Sequence, residues 1–450
     1  MNRSYFFRTF GIAGLTVMCA PALARAAGVR RLTLAEAVHL AVAQNRTLKI
    51  ARLKTQENEQ KKAGERSAYF PAITNDSNVL HITELQNIEI PAGALGTVRG
   101  VPNPAQSVTV PQGQLTLYTS GTMVAQPLTQ LLRVRQANRM AAAEVASSRD
   151  DVKKAENEVA LQVHTLYYAI LVAQLQKKAA EQQTTYAAEN LRESEEDVRN
   201  GSALKVAAIG SRAGLLEGQQ AVLTADLQLQ DLATELNDLL GLPLDTELEL
   251  DPEVPANFET AAKAEYMKMA WAQNPEILAA EETVRKAQAG VAAAKTAYIP
   301  DITAFARYSY QNGVPFLVHN FGTFGLHLSY DVFDFGKRRA VVRERAAQLA
   351  QAEQNLERLK ENVAVDVERS YNKVERTRSL VNVASQVADL RQESERLATN
   401  QAAEGVVLVS ERRQATAARY KAQADLLQAS LGYLLARAEL ERTVGRTPGW

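Results

Sequence analysis

Apolar residues return every three or four positions along two long stretches of this 450-residue chain. In the first stretch the repeating positions are Val159, Val163, Leu166 and Ile170, followed by Leu229, Leu232, Leu236 and Leu239. In the second stretch they are Leu427, Leu431, Leu434 and Ala438. Steps of three and four residues form a heptad seam, which is typical of paired coiled-coil helices. The core of an ordinary helical bundle shows the same spacing, so the periodicity leaves both structures open.

Proline and glycine divide these stretches into helices. No proline occurs from residue 128 to 242 or from residue 316 to 447, and an interior proline costs a helix about 3 kcal/mol. Gly201 and Gly405 each stand at a natural break. The predicted helices therefore span residues 129–199, 203–240, 337–400 and 407–443.

Two shorter helices are predicted ahead of these, at residues 34–67 and 262–297. At ~1.5 Å per residue the long helices measure roughly 100 Å and all of the shorter ones roughly 50–55 Å. Two short helices placed end to end therefore match one long helix. We expect an elongated molecule in which each half of the chain supplies one continuous and one composite rod.

Strand patterns occur only between the short and the long helix of each half. Residues 324–332 alternate apolar with polar or small side chains, which predicts a half-buried strand. Its predicted partner is 302–310, with turn residues at 311–315. The first half offers 115–125 and a weaker segment, 73–90. The fold class is therefore mainly α with a small antiparallel β part of two hairpins.

Strands of about ten residues suit an outer-membrane bilayer, although a small soluble sheet capping a helical bundle fits the pattern too. Four strands cannot close around a pore, and an open sheet edge cannot face lipid. A membrane location would therefore require several chains to share one barrel. Three chains would supply twelve strands, an even number of plausible diameter.

The chain contains an internal duplication. The tripeptide Ala-Gln-Asn at 43–45 and the motif Ala-Tyr-x-Pro-x-Ile-Thr at 68–74 return at 272–274 and 297–303, both displaced by about 229 positions. The equal displacement means that the interval between the two markers carries no insertion. One unit is therefore present twice.

Later matches between the copies share a smaller displacement of about 204, as for Gly201 with Gly405 and Gly241 with Gly445. The difference of about 25 residues is best placed at 88–113, whose proline and glycine content predicts a long exposed loop. The predicted division is a signal segment at 1–26, a first repeat at 27–243, a linker at 244–261, a second repeat at 262–445 and a tail at 446–450.

The first residues have the features of a secretory signal. A basic start, a short apolar run and Ala22-Leu23-Ala24 predict cleavage near residues 24–27. The apolar run is too short for a membrane anchor, and Met18 ahead of Cys19 does not suit lipidation. Cys19 is the single cysteine, so the exported chain has no disulfide or thiolate chemistry.

Charge and motif content exclude several function classes. Lys+Arg and Asp+Glu both number 51, so no charge excess points to nucleic acid. We find no phosphate-binding loop, no GxSxG and no HExxH, and none of the five histidines has another at metal-ligand spacing. The sequence predicts no catalytic residues, no metal, no cofactor and no enzyme activity.

Carboxylates gather near the two predicted helical breaks. Asp197 precedes Gly201, and Glu404 and Glu411 flank Gly405. If several copies surround a pore, each pore-facing carboxylate becomes an acidic ring that filters cations. A solvated helix end is the alternative for every one of them. We predict Glu404 as the foremost constriction residue because it adjoins the second break.

These features together resemble the TolC-like outer-membrane efflux proteins. The resemblance covers residues 32–446, and its motifs are specific through their order, duplication and spacing rather than individually. The motifs are the Leu-Thr-Leu-Ala-Glu-Ala-Val opening at 32–38, the two Ala-Gln-Asn and Ala-Tyr-x-Pro-x-Ile-Thr pairs, Gln-Pro-Leu at 126–128, Tyr-Asp-Val-Phe-Asp-Phe-Gly at 330–336, and the glycine turns at Gly201 and Gly405.

The resemblance implies a homotrimer in the cell outer membrane that extends into the periplasm. Its twelve-stranded β-barrel continues as a long α-barrel and serves as the passive exit duct of a tripartite efflux pump or type I secretion system for drugs, other toxic compounds or proteins. Its partners would be a periplasmic membrane-fusion adaptor, an inner-membrane transporter and outer-membrane lipid. Gly201 and Gly405 would form the hairpin tips that dock the adaptor.

The tips depart from the family pattern. Residues 198–201 and 402–405 lack the tyrosine that many members carry there, and no Asp-Val-Leu follows either glycine. The tyrosine part of a gate and the detailed adaptor contact therefore do not transfer to this chain. A soluble periplasmic coiled-coil scaffold or adaptor with a small sheet is the alternative function.

Overall fold

The computed structural model describes residues 30–251, 261–313 and 318–448. The predicted signal segment with Cys19, half of the predicted linker and the last two residues lie outside the described residues. The helices are α1 Leu34–Gln44, α2 Arg46–Ser67, α3 Leu131–Arg199, α4 Lys205–Leu240, α5 Lys263–Gln273, α6 Pro275–Lys295, α7 Lys337–Ala403 and α8 Val409–Thr443.

The strands form one main sheet and three short ribbons. The strands are β1 Arg30–Leu32, β2 Ala72–His81, β3 Asn87–Ile90, β4 Thr97–Val98, β5 Val101–Pro102, β6 Val108–Pro111, β7 Thr116–Pro127, β8 Leu248–Leu250, β9 Asp301–Asn312 and β10 Asn320–Ser329. The main sheet is antiparallel with the order β10-β9-β7-β2. The mainly α fold with a small antiparallel part is thus confirmed.

The helices pack in two tiers on the long helices α3 and α7. In the tier away from the sheet, α4 packs on α3, α3 on α8, and α8 on α7. In the tier beside the sheet, α2 packs on α3, α3 on α6, and α6 on α7. The shorter helices therefore stack in pairs, α4 with α2 and α8 with α6, to form the expected composite rods. No helix among the described residues is both long and apolar enough to span a membrane.

The predicted single helices at 34–67 and 262–297 are wrong, because each is interrupted at an asparagine. Asn45 ends α1 and caps α2, its side chain accepting from the amides of Thr47 and Leu48. Asn274 ends α5 and caps α6 in the same way, with Pro275 in the first turn. The Asn-Pro pair marked this break in the second copy, since proline suits the first helical position and disfavours a helical residue before it.

The same asparagines join the two helices of each composite rod. The Asn45 side-chain amide donates to the Leu239 carbonyl at the end of α4, at 3.4 Å. The Asn274 amide donates to the Thr443 carbonyl at the end of α8, at 2.8 Å. Asn45 and Asn274 are related by the displacement of 229, and Leu239 and Thr443 by the displacement of 204. The two junctions are therefore equivalent in the two copies.

Asn274→Ala tests this junction. It removes the cap of α6 and leaves the buried Thr443 carbonyl without its donor, so we expect a loss of roughly 2–4 kcal/mol of stability. Asn274→Asp keeps the capping oxygen but not the donor and should lose less. Asn45→Ala, at the more exposed junction, should cost about 1 kcal/mol. Thermal unfolding in detergent ranks the three variants, and equal losses would contradict this role.

Within the first hairpin, the weak segment predicted at 73–90 separates into β2 and β3. Strand β2 pairs with β7, whereas β3 turns out of the main sheet and pairs with β6. The segment predicted as a loop at 88–113 therefore contains two small antiparallel ribbons, β3 with β6 and β4 with β5. This addition extends the first hairpin well beyond the second.

Candidate functional site

The two hairpin tips have the same backbone structure. Gly201 and Gly405 adopt left-handed conformations, with φ of 76° and 74°. At the first tip the Ser202 amide donates to the Asp197 carbonyl and the Gly201 amide to the Val198 carbonyl. The second tip repeats this pair of bonds 204 positions later. Both are Schellman motifs, in which glycine is favoured because its φ is positive.

In the structure the predicted acidic residues lie at the two hairpin tips. Asp197 lies in the last turn of α3, where its side chain accepts from the Ser202 hydroxyl at 3.3 Å. Glu404 is the C-terminal cap residue of α7, and Glu411 lies in the first turn of α8. All three are exposed. Asp197 therefore has a local turn contact, and the constriction role of all three stays a prediction.

A contact between the two tips was not predicted from the sequence. The Ser410 amide at the start of α8 donates to a carboxylate oxygen of Glu193 on α3, at 3.1 Å. This replaces a side-chain cap, since the cap residue Leu408 has none to offer. Glu193 precedes Gly201 by eight residues and Ser410 follows Gly405 by five, so the two tips lie at similar height.

Near the tips, one ion pair lies within α3 and another joins α8 to α7. Arg192 bonds Glu189 at 2.8 Å and so lowers the pKa of that carboxyl, with a smaller contribution from the charges of Arg413 and Arg412 on α8. A half-buried pair joins Arg419 of α8 to Glu395 of α7 at 2.6 Å. The tips are therefore held in one arrangement by polar contacts between neighbouring helices.

In the tier away from the sheet, which ends at the tips, α4 and α7 are the two outer helices. Each of them exposes a row of large apolar side chains. The exposed residues of α4 are Ile209, Leu216, Leu223 and Leu227. The exposed residues of α7 are Leu380, Val383, Val387, Leu390 and Leu397. Their spacing is that of a heptad seam, and such a row on a helix calls for a partner helix.

The two rows match in height. On α4 the apolar residues lie 8, 15, 22 and 26 residues from Gly201. On α7, residues at 8, 15, 22 and 25 positions from Gly405 are apolar. Because the two tips lie at similar height, each α4 side chain has a counterpart at its own level on the opposite edge of the chain.

The main sheet also ends in two free edges among the described residues. Strand β2 pairs only with β7, and β10 pairs only with β9. The β2 edge belongs to the first hairpin and the β10 edge to the second. A second copy of the sheet could therefore join β2 of one chain to β10 of the next.

Where the sheet meets α7, a polar cluster fixes the start of the helix. Asp334 accepts from the Gly336 and Arg338 amides and from Nε of Arg338 at 2.6 Å. These bonds, above all the one from the Arg338 guanidinium, lower the pKa of Asp334 to about 2. The same guanidinium lies 4.8 Å from the centre of the Tyr330 ring. The motif at 330–336 thus turns the chain from strand into helix.

Comparisons with known protein families and solved structures bear on this fold. Residues 267–446 match the family described as outer membrane efflux protein. The resemblance expected from the sequence motifs is thus confirmed. The cell outer membrane, with a helical extension into the periplasm, is accordingly confirmed as its location.

Solved structures share the outer membrane efflux fold over nearly the whole chain. A membrane protein from Pseudomonas aeruginosa gives a TM-score of 0.73 at 18% identity, covering 92% of this chain and 90% of that one. The Vibrio cholerae outer membrane protein VceC gives 0.71 at 14%, covering 92% and 96%. The Campylobacter jejuni CmeC outer membrane channel gives 0.71 at 14%, covering 91% and 84%. No curated protein sequence matches significantly.

Proposed function

We propose that three copies of this chain form a passive duct through the outer membrane, the exit of a tripartite efflux or type I secretion system. The observation that carries the proposal is the pair of complementary open edges. The described chain offers β2 and α4 on one side and β10 and α7 on the other. Joining unlike edges is a head-to-tail contact, which closes into a ring when the rotation allows it.

The sheet sets the requirement for closure. An open edge leaves amide and carbonyl groups unpaired, and lipid offers them no hydrogen bonds. Pairing β10 of each copy with β2 of the next satisfies both edges at once. Three four-stranded sheets would give a twelve-stranded barrel, within the range of outer-membrane barrels.

The helices extend the same ring. The level-matched rows on α4 and α7 would pack against each other between neighbouring copies and give a closed α-barrel. Burying a Leu or Val side chain contributes about 1.5–3 kcal/mol, so several such contacts at each of three seams would hold the ring firmly. The substrates would be small molecules such as drugs and other toxic compounds, or proteins, that pass through a water-filled lumen.

The tips suit a protein partner. Leu204, Val206, Val406 and Leu408 beside the two turn glycines are all exposed. We infer that this apolar end docks the periplasmic membrane-fusion adaptor, which in turn connects the duct to an inner-membrane transporter. Gly201 and Gly405 contribute the turn shape, and the neighbouring apolar side chains contribute the contact area.

Fractionation and sizing test the duct directly against a soluble scaffold. The duct predicts that the full-length chain sediments with outer membranes, requires detergent for extraction and has the mass of three chains plus detergent. A scaffold predicts release without detergent. A detergent-independent monomer would contradict the proposal.

Glu404→Gln tests the acidic constriction. A ring of three carboxylates at the tips should favour cations, so the variant should lose much of the cation preference measured by the reversal potential under a KCl gradient. Glu361→Gln serves as the matched control, because Glu361 is an exposed α7 carboxylate far from the tip. Unchanged selectivity in Glu404→Gln would remove this residue from the constriction.

A further inference from the structure

The charged residues of the main sheet all lie on one of its faces, and most of its exposed large apolar residues lie on the other. Alternation along the paired strands places Asp76, Asp301, Arg307 and His327 on the same face. His81, at the far end of β2, is on the other face. That other face exposes Ile73, Val79, Tyr308, Phe324, Leu326 and Leu328.

In the proposed barrel these faces have fixed directions. Outer-membrane strands turn apolar side chains to lipid and polar ones to the lumen. The face with Arg307 is therefore the lumen face. Arg307 also lies near the middle of β9, a central strand of the sheet, so it is remote from the edges at which copies would join.

The Arg307 side chain lies over a glycine of the neighbouring strand β7. Gly121 of β7 is buried, and a Cβ atom added there would lie only 2.5 Å from Nη2 and 2.6 Å from Nε of Arg307. The guanidinium therefore lies along the backbone of β7, in space that any other residue would fill. Asp76 lies opposite Gly121 on β2, the other neighbour of β7. Its side chain is on the lumen face as well.

The charge of Arg307 is available to a solute. Its side chain is exposed, and within the part of the chain that the structure describes it forms no ion pair. It is also the only lysine or arginine in the four strands of the main sheet. Three copies would place three guanidinium groups at one level of the lumen, each able to bind a carboxylate or phosphate through two parallel hydrogen bonds.

We propose that Arg307, laid over Gly121, forms an anion-binding ring within the barrel that retains solutes carrying carboxylate or phosphate groups as they leave. This inference rests on the proposed duct. It assigns specificity to the barrel itself, in addition to any filter at the tips. Citrate is a suitable probe because it carries several carboxylates.

Planar-bilayer recordings of the purified full-length protein, with citrate added on the extracellular side, test the ring. Wild-type current should be blocked, and Arg307→Gln should require at least about tenfold more citrate for half block. Gly121→Ala keeps the charge but displaces the guanidinium, so it should weaken the block as well. Ser309→Ala, two residues away on the same face, is the control and should leave the block unchanged.

The outcomes separate the ring from the duct. A protein that conducts neither as the wild type nor as Glu193→Ala would overturn the duct and the ring together. A conducting wild type with equal citrate block in Arg307→Gln would overturn the ring alone. Should Arg307→Gln fail to assemble, as shown by its mass in detergent, equal block in Gly121→Ala and wild type would overturn the ring by itself.

Discussion

Gly445→Ala is expected to prevent stable folding, although it adds a single methyl group. Gly445 has φ of 87°, and its added Cβ would lie 2.3 Å from the carbonyl oxygen of Gln273 and 2.8 Å from the Cα of Asn274. Those are backbone atoms at the junction of α5 and α6, so neither can swing away. The positive φ alone costs about 1–2 kcal/mol, and displacing the junction should raise the loss beyond about 4 kcal/mol.

Gly405→Ala is the matched control for that substitution. Gly405 has a similar φ of 74°, but nothing lies within 4 Å of its added Cβ. It should therefore lose only the conformational cost of about 1–2 kcal/mol. Thermal unfolding and the yield of folded protein in detergent compare the two variants. Equal behaviour would mean that close packing at the junction does not hold the composite rod together.

Val383→Glu is expected to abolish the trimer. Val383 lies at the centre of the exposed α7 row, level with Leu223 of α4. In the assembled ring a glutamate there would be buried without a partner at three seams, which costs several kcal/mol at each. Asn382→Glu is the control, because Asn382 is exposed and points about 100° away around the helix. The mass in detergent is the measurement, and a trimeric Val383→Glu would contradict the seam.

Cysteine pairs give an independent check of the seam. With Cys19 as the only native cysteine, the pair Leu216→Cys and Leu390→Cys should cross-link neighbouring copies, since both positions lie 15 residues from their tip glycine. The pair Ile209→Cys and Val383→Cys is offset by 14 residues, about 21 Å along the helix, and should not cross-link.

The regular parts of the fold could be predicted because their signals are local. Proline-free stretches and glycine breaks located four helices to within a few residues, and alternation located β9 and β10. The break at Asn45 was missed because a capping asparagine differs from any other asparagine only through the α4 carbonyl that it meets. The break at Asn274 was missed as well, although Pro275 is a local sign of it.

The candidate site shows the same division. Gly201 and Gly405 were found because the turn between two helices favours glycine, and a glycine at such a break is visible in the local sequence. The contact of Glu193 with the Ser410 amide was missed because it joins residues 217 positions apart. The exposed rows on α4 and α7 were not singled out from the sequence, because heptad spacing alone does not show which helices lie at the edge of the chain. The division into domains and the roles of Glu404, Glu411 and Asp197 stay predictions.

Single-channel recording on the detergent-purified trimer is the most direct test of the duct. We predict stepwise openings of small, cation-preferring conductance, since contacts such as Glu193 with Ser410 hold the tips together. Glu193→Ala should then increase the conductance. A stable trimer that inserts into bilayers and shows no conductance in either form would contradict a continuous path through the molecule.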